Sequence, residues 1–338
     1  MVGFMAQRVT ITDVARAADV SVATVSKVIN GRYGVSPTTF GRVKEVIETL
    51  GYESSLVARS LRSRRTNVIG ILVAEFEPFS TEILKGASTG LAGTDYELLA
   101  YTGGQHSGGV GWERRYLSRL SGTLIDGAVL VTPTVVDADA EIPVVAIDPH
   151  AGPADLPTVD SDNLAGARLA TEHLLALGHR RIAFLSGRSD LESSRLREEG
   201  YRQALAAAGV PVDPALILAG EYRKENALEP AHRLLSLPDR PTAIFAANDL
   251  SAIAALEVAQ EMGVHVPTEL SVVGFDDVPE SASTAPPLTT VRQPIQQMGA
   301  AAIGLLISLI NATPVDETHV RLPTSLVERG STGPRPPR

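Results

Sequence analysis

From residue 67 onward, short apolar runs of strand length alternate with segments of helical period, and this alternation constrains the fold more than any other feature of the chain. Strand-like runs rich in Val, Ile, Leu and Ala occupy 68–73, 97–101, 128–131, 144–147, 182–185, 216–218, 243–246 and 272–275. Helical patterns fall between many of them, at 81–91, 113–120, 163–177, 195–208, 226–235 and 250–262. Near-continuous apolar strands separated by helices belong to parallel sheets covered on both faces. The stretch is too long for one compact core, so the pattern predicts two doubly wound lobes. The crossover is expected near 158–163, midway through the alternation. The expected lobes are 67–162 with 291–319, and 163–290 with 320–330, leaving a frayed tail at 331–338.

The first fifty residues have another character and read as three short helices. Thr10 with Asp13 resembles a capping box, and Ile11, Val14, Ala15 and Ala18 then form an apolar face. Asp19-Val20 is a turn. Ser21 caps a second helix whose apolar residues are Val25, Val28 and Ile29, and Gly31 stops it. Ser36-Pro37 opens a third, with proline at the first helical position, running through Val43, Val46, Ile47 and Leu50 to Gly51. The expectation is an all-α domain over 1–53. Residues 54–66 follow as a linker with too little apolar surface for a core of its own and only conditional helicity.

Composition narrows the function. The 338 residues include no cysteine, which excludes a disulfide framework, a thiolate metal site and a cysteine nucleophile, and suits a reducing compartment. The longest uncharged apolar run, 298–310, is too short to span a bilayer. The start MVGFMAQR does not read as a signal peptide, and Met5 is an alternative start; a cytoplasmic location is the default. Net charge is −9, but residues 1–66 hold ten Lys/Arg against five Asp/Glu, while the rest holds 20 against 34. A basic head on an acidic body suits contact of the head with a polyanion; a solvated basic surface is the alternative on charge alone. No cofactor fingerprint, phosphate loop, GxSxG nucleophile or HExxH metal spacing is present, so no enzyme, cofactor or metal is expected. His179, alone before a strand, reads as a turn or packing residue.

Two short helices joined by a tight turn, the second rich in small and hydroxylated residues, form a helix-turn-helix. Such a second helix enters the major groove and presents its first turns to base edges. From Val22 onward, positions 22, 23, 26, 27 and 30 share the face away from Val25, Val28 and Ile29. Ser26, Lys27 and Asn30 can reach phosphates or bases; Val22 and Ala23 can touch thymine methyl groups. A generic three-helix bundle is the bland alternative for the pattern alone.

The motif TITDVARAADVSVATVSKVINGRYGVS resembles the N-terminal signature of the LacI/GalR family of bacterial transcription repressors. ARSLRSRRTNVIGILV is similar to that family's hinge helix and first core strand. DNLAGARLATEHLLALGHRRIAFLSG, SRLREEGYRQAL, PTAIFAANDLSAI, LSVVGFDDVPES and PPLTTVRQP resemble successive landmarks of its core, in order. The resemblance implies a homodimer reading a pseudo-palindromic operator and a core like periplasmic sugar-binding proteins. It adds Ile11, Ser36, Thr39 and Tyr52 to the candidate DNA contacts. It also implies that the hinge forms on DNA, with Leu61 wedged into a minor-groove step, Ala58 on the same face, and Arg59 and Arg62 beside it. No leucine heptads follow Ser325-Leu326-Val327, so a dimer is expected over a tetramer.

In open parallel sheets ligands bind beyond the carboxyl ends of strands. That rule selects Glu75, Asp148, Ser186, Tyr222, Asn248, Asp249 and Asp276. The resemblance implies effector contacts for Arg197, Asp249 and Asp276, and an aromatic platform at Tyr222, with Phe79 similarly placed. Where many relatives carry an Asn-Pro-Phe-Phe-like stretch, this chain reads Glu77-Pro78-Phe79-Ser80. The carboxylate, arginine and aromatic inventory favours a sugar or oligosaccharide effector; a purine or nucleoside is the alternative. A transport solute-binding protein would share the core but not the head.

Overall fold

The computed structural model describes residues 9–29, 33–52, 65–103, 111–135, 141–151 and 156–336. Two compact units divide at Thr66 and Asn67.

In the first unit α1 (Ile11–Ala17), α2 (Val22–Ile29) and α3 (Pro37–Leu50) pack around Val14, Ala15, Ala18, Val25, Val28 and Val43. Each helix starts where its polar cap predicts. Thr10 Oγ1 accepts from the Asp13 amide while the Asp13 carboxylate accepts from the Thr10 amide, and Ser36 Oγ accepts from Thr39 N. Gly51, at φ 60°, ends α3 in the left-handed conformation that glycine adopts cheaply.

The second unit contains two six-stranded sheets, as the alternation predicts. In the first, β1 (Val68–Val73), β2 (Glu97–Thr102), β3 (Gly127–Val131), β4 (Val144–Ile147), β5 (Thr158–Ser161) and β11 (His319–Leu322) take the order β11-β5-β4-β3-β1-β2, all parallel. Helices α4 (Pro78–Gly90) and α10 (Ile295–Ile310) cover one face and α5 (Trp112–Leu120) the other. At Gly86 a Cβ would sit 1.9 Å from the Gln296 carbonyl, so only glycine lets α4 and α10 approach this closely.

In the second sheet β6 (Ile182–Ser186), β7 (Ile217–Ala219), β8 (Ala243–Ala246), β9 (Ser271–Asp276), β10 (Thr289–Arg292) and β12 (Ser325–Val327) take the order β12-β10-β9-β8-β6-β7. Only β12 runs antiparallel to its neighbour. Helices α6 (Asn163–Ala176) and α7 (Glu192–Ala207) cover one face; α8 (Lys224–Leu235) and α9 (Asp249–Glu261) cover the other. Strand alternation assigns the faces: Ile182 and Phe184 pack under α6 and α7, Ala183 and Leu185 under α8 and α9.

Three crossovers join the lobes, and two lie elsewhere than the sequence suggests. The first follows Ser161. The chain returns after β10, at 293–294 rather than 291, and crosses again at 323–324 rather than 320, because His319–Leu322 pairs with β5. The expected tail is not frayed over its described part. Ser331 is fully buried and its hydroxyl donates to the Val272 carbonyl, while Arg335 N donates to Leu177 O. His179 shows why: its ring meets Thr242 Oγ1, Ser271 Oγ and the Gly333 carbonyl, a packing role that ties this segment to the second sheet.

Candidate functional site

The carboxyl ends of both sheets open onto one cleft between the lobes, a cavity of about 400 Å³. Residues from the ends of β1, β3 and β4 face residues following β6, β7, β8 and β9. The backbone is strained at many of these ends. Thr132, Asp148, Glu221, Tyr222 and Asp276 have φ of 47°, 44°, 54°, 64° and 119°, a region that side chains other than glycine seldom adopt. Such strain clusters at ligand sites, because it aims side chains that regular strands would turn away.

Arg197 projects from α7 and is 3% exposed. Its Nε donates to Asn163 Oδ1 at 2.8 Å, and its Nη1 donates to the Ala247 carbonyl at 2.5 Å and to Asp276 Oδ1 at 3.4 Å. The guanidinium lies 3.8 Å from the Phe275 ring centre and 5.4 Å from that of Tyr222. Tyr222 in turn packs over Gly187, where a Cβ would come within 2.2 Å of the ring. Asp276 also accepts from Gln293 Nε2 at 2.6 Å, so the second crossover takes part in the site.

Burial pushes Asp148 up to about 6 and Asp276 up to about 7, with Arg197 opposing the rise in each case. Both carboxyls therefore hold their protons to higher pH folded than unfolded. Their contribution to stability is full below pH about 4 and declines as pH rises towards 6 and 7. Asp148→Asn removes its share, so the fall in melting temperature between pH about 4.5 and about 7.5 should be shallower in the variant than in the wild type. Equal slopes by calorimetry would mean that Asp148 titrates at its ordinary value.

Of the sequence candidates, Glu75, Phe79, Asp148, Arg197, Tyr222, Asn248 and Asp276 line the cavity. Two do not. Asp249 is fully buried beneath it, accepting from Val278 N at 2.9 Å and Thr290 Oγ1 at 2.5 Å; burial and the nearby Asp276 raise its pKa well above normal. The expected effector contact is thus a brace between α9 and the strands beside it. Ser186 leans towards the Leu218 carbonyl. Asn248 caps α9, accepting from Ser251 N, and its amide donates to the Tyr222 carbonyl. Glu75 meets Arg223 across the cleft at 2.5 Å.

Glu77, His150 and Gln293 also line the cavity and were missed. His150 stands two residues after Asp148, a position the strand-end rule could have flagged; its Nδ1 lies 3.2 Å from Asp190 Oδ2 of the opposite lobe. Glu77 was noticed only as a departure from a motif. Gln293 carries no local signal, since its place depends on where the chain returns between lobes.

In the head, Val22, Ala23 and Lys27 are exposed along α2 and Ser26 is half-buried beside them. Ile11 and Tyr52 are half-buried against the three-helix core, Ser36 caps α3, and Thr39 lies half-buried in its first turn. Asn30, Ala58, Leu61 and Arg62 lie outside the described residues.

A helix-turn-helix unit joined to a two-lobed α/β core with a polar interlobe cleft defines a DNA-binding regulator of the ligand-sensing type. Residues 10–55 match the bacterial regulatory proteins, lacI family, and 171–332 match the periplasmic binding protein-like domain. Catabolite control protein A of Priestia megaterium is 34% identical over 332 residues, covering 96% of this chain and 99% of that protein. The solved complex of transcriptional regulator CelR with cellobiose is 34% identical with TM-score 0.71, covering 96% of this chain and 100% of that one. The lac repressor dimer bound to operator and the anti-inducer ONPF superimposes with TM-score 0.83 at 28% identity, covering 97% and 100%. The chain belongs to the LacI family of bacterial transcription regulators. No helix among the described residues is long and apolar enough to cross a membrane.

Proposed function

We propose that the chain is an operator-binding repressor, acting as a homodimer, whose cleft senses a saccharide effector. One observation carries the reading most: a 400 Å³ cleft in which both lobes supply hydrogen-bonding groups (Asp148 from one, Arg197, Asn248 and Asp276 from the other) around Phe79 and Tyr222. Convergent polar groups accept and donate to hydroxyls, and aromatic faces cover the apolar face of a sugar ring. Similarity to the cellobiose-bound CelR structure supports it. Because groups from both lobes meet one ligand, binding favours one lobe arrangement over another, and that difference is what releases or secures the operator.

The test is calorimetry of the full chain against mono- and oligosaccharides and purine bases and nucleosides, followed by operator anisotropy with each binder. A saccharide that binds and shifts operator affinity is the expected result. Binding by a purine alone would replace the saccharide reading.

In the hinge, Leu61→Ala should weaken operator binding more than non-specific DNA binding and reduce DNA bending, because the wedge that holds an unstacked step is gone. Fluorescence transfer across a labelled operator reads the bend. An unaltered bend and affinity would reduce Leu61 to a linker residue.

A further inference from the structure

The polar bridges that span the cleft differ in kind. Glu75 meets Arg223 with both side chains half exposed, and an ion pair so open to water contributes little. The bridge built on His150 is shielded: this residue follows β4 in the first lobe and is 7% exposed. Its amide donates to the Pro133 carbonyl of its own lobe at 3.0 Å. Its carbonyl accepts from the second lobe, from Glu192 N at 3.0 Å and from Arg195 Nη2 at 3.3 Å. Its ring meets Asp190, which Arg188 holds through Nε at 3.1 Å and Nη2 at 2.7 Å.

The first amides of a helix have no partner within it and need one from outside. α7 begins at Glu192, and Leu191 before it offers no side chain to cap the first turn. The partner of the Glu192 amide is the His150 carbonyl, from the opposite lobe. Leu191, Ser193 and, one turn on, Arg197 all line the cavity, and Ser193 Oγ stands 3.5 Å from the Tyr222 hydroxyl. Separating the lobes therefore uncaps the turn that leads into Arg197.

We propose that His150 latches the cleft: its carbonyl supplies the cap that α7 lacks, so the turn leading into Arg197 is completed only when the lobes are closed. His150 is thus a positioning residue, acting on the effector through α7. Every group in the latch belongs to the chain, so the bond needs no ligand in order to form. An effector must wait for it to open before entering, and again before leaving. The closed core contains the bond with or without effector, so its strength cancels from the affinity and remains in both rates. This rests on the reading of the cleft as the effector site, whatever effector it takes.

Glu192→Pro tests the latch. Proline suits the first helical position, and Leu191, at φ −90° and ψ 132°, already has the extended backbone that precedes a proline. The substitution deletes the donor and sets Cδ where the hydrogen lay, so the His150 carbonyl must move away. Glu192→Ala is the control: it loses the carboxylate that meets Arg195 and keeps the amide. Hydrogen exchange of the full chain without added ligand is read at single amides by mass spectrometry with electron-transfer fragmentation. The Glu192 amide should exchange at least about 10-fold more slowly than its unprotected rate in the wild type, and the alanine in its place likewise. In Glu192→Pro the His150 amide, in the opposite lobe, should exchange about 3- to 10-fold faster while the strands keep their protection. Loss of a helix cap alone would leave that amide as it was. With the tightest binder of the calorimetric panel as probe, stopped-flow association and dissociation should both quicken about 3- to 10-fold in Glu192→Pro, and the dissociation constant should stay within about 3-fold. An unprotected Glu192 amide in the wild type overturns the latch, as does a His150 amide unmoved by the proline, or a change confined to one of the two rates. If nothing in the panel binds, the effector reading falls and exchange alone decides the latch.

Discussion

Arg197→Ala should weaken effector binding by about two orders of magnitude, because charge-assisted hydrogen bonds shielded from water contribute roughly 1.5–3 kcal/mol each. The structure adds a consequence that spacing alone does not suggest. Removing Arg197 also orphans Asn163 Oδ1 and the Ala247 carbonyl, both buried, and leaves Asp276 Oδ1 with Gln293 Nε2 as its donor. Breaking a buried pair from one side typically costs about 3–5 kcal/mol. Asp276, already pushed up to about 7, can take a proton and soften that loss. The variant should therefore melt earlier but bind operator as the wild type does, since the head is a separate compact unit. It should repress and ignore effector. The check is calorimetry for effector and anisotropy for operator on the same preparations. Unchanged effector affinity would reduce Arg197 to a brace of the second lobe.

Removing residues 1–66 should abolish operator binding and leave effector affinity within a few-fold of the full chain. The core forms a contact unit from Asn67 onward, with both lobes and the cleft inside it. In the full chain, operator affinity should fall steeply with salt, each neutralised phosphate contributing about −0.9 to the log–log slope. Lys27→Ala, on the exposed face of α2, should flatten that slope by about one contact per head. Specific operator binding by the headless fragment would overturn the division of labour between the two units.

Local signals and long-range closure differed in how legible they were. Thr10, Ser36 and Gly51 marked helix ends because caps act through neighbouring amides, and the apolar strands announced themselves because both their faces are covered. The strand-end rule put Asp148, Asn248 and Asp276 at the cavity for the same reason: it needs only knowledge of where a strand stops. It misjudged Asp249, one residue beyond Asn248, because whether a carboxyl looks up into a cleft or down onto Thr290 depends on the first turn of α9. The β11 and β12 pairings were invisible in a short polar stretch, His319–Leu322 and Ser325–Val327, whose partners lie far back in the chain. The buried Ser331 was hidden likewise: a tail rich in Gly and Pro looks frayed until its partners on β9 and near Leu177 are known.

The three crossovers lie side by side and are laced together. Asp162 N donates to Leu322 O at 2.9 Å, Thr324 Oγ1 to Asp162 O at 3.2 Å, Ser161 Oγ bonds Gln293 Oε1, and Gln293 donates to Asp276. The pivot between the lobes is thus wired to the floor of the cleft. In the proposed switch, a ligand that moved Asp276 would push close to this joint, where the lever is short, and a small turn there would carry the far ends of both lobes furthest. Sensitivity to a small molecule and a long stroke at a distance would then come from the same joint.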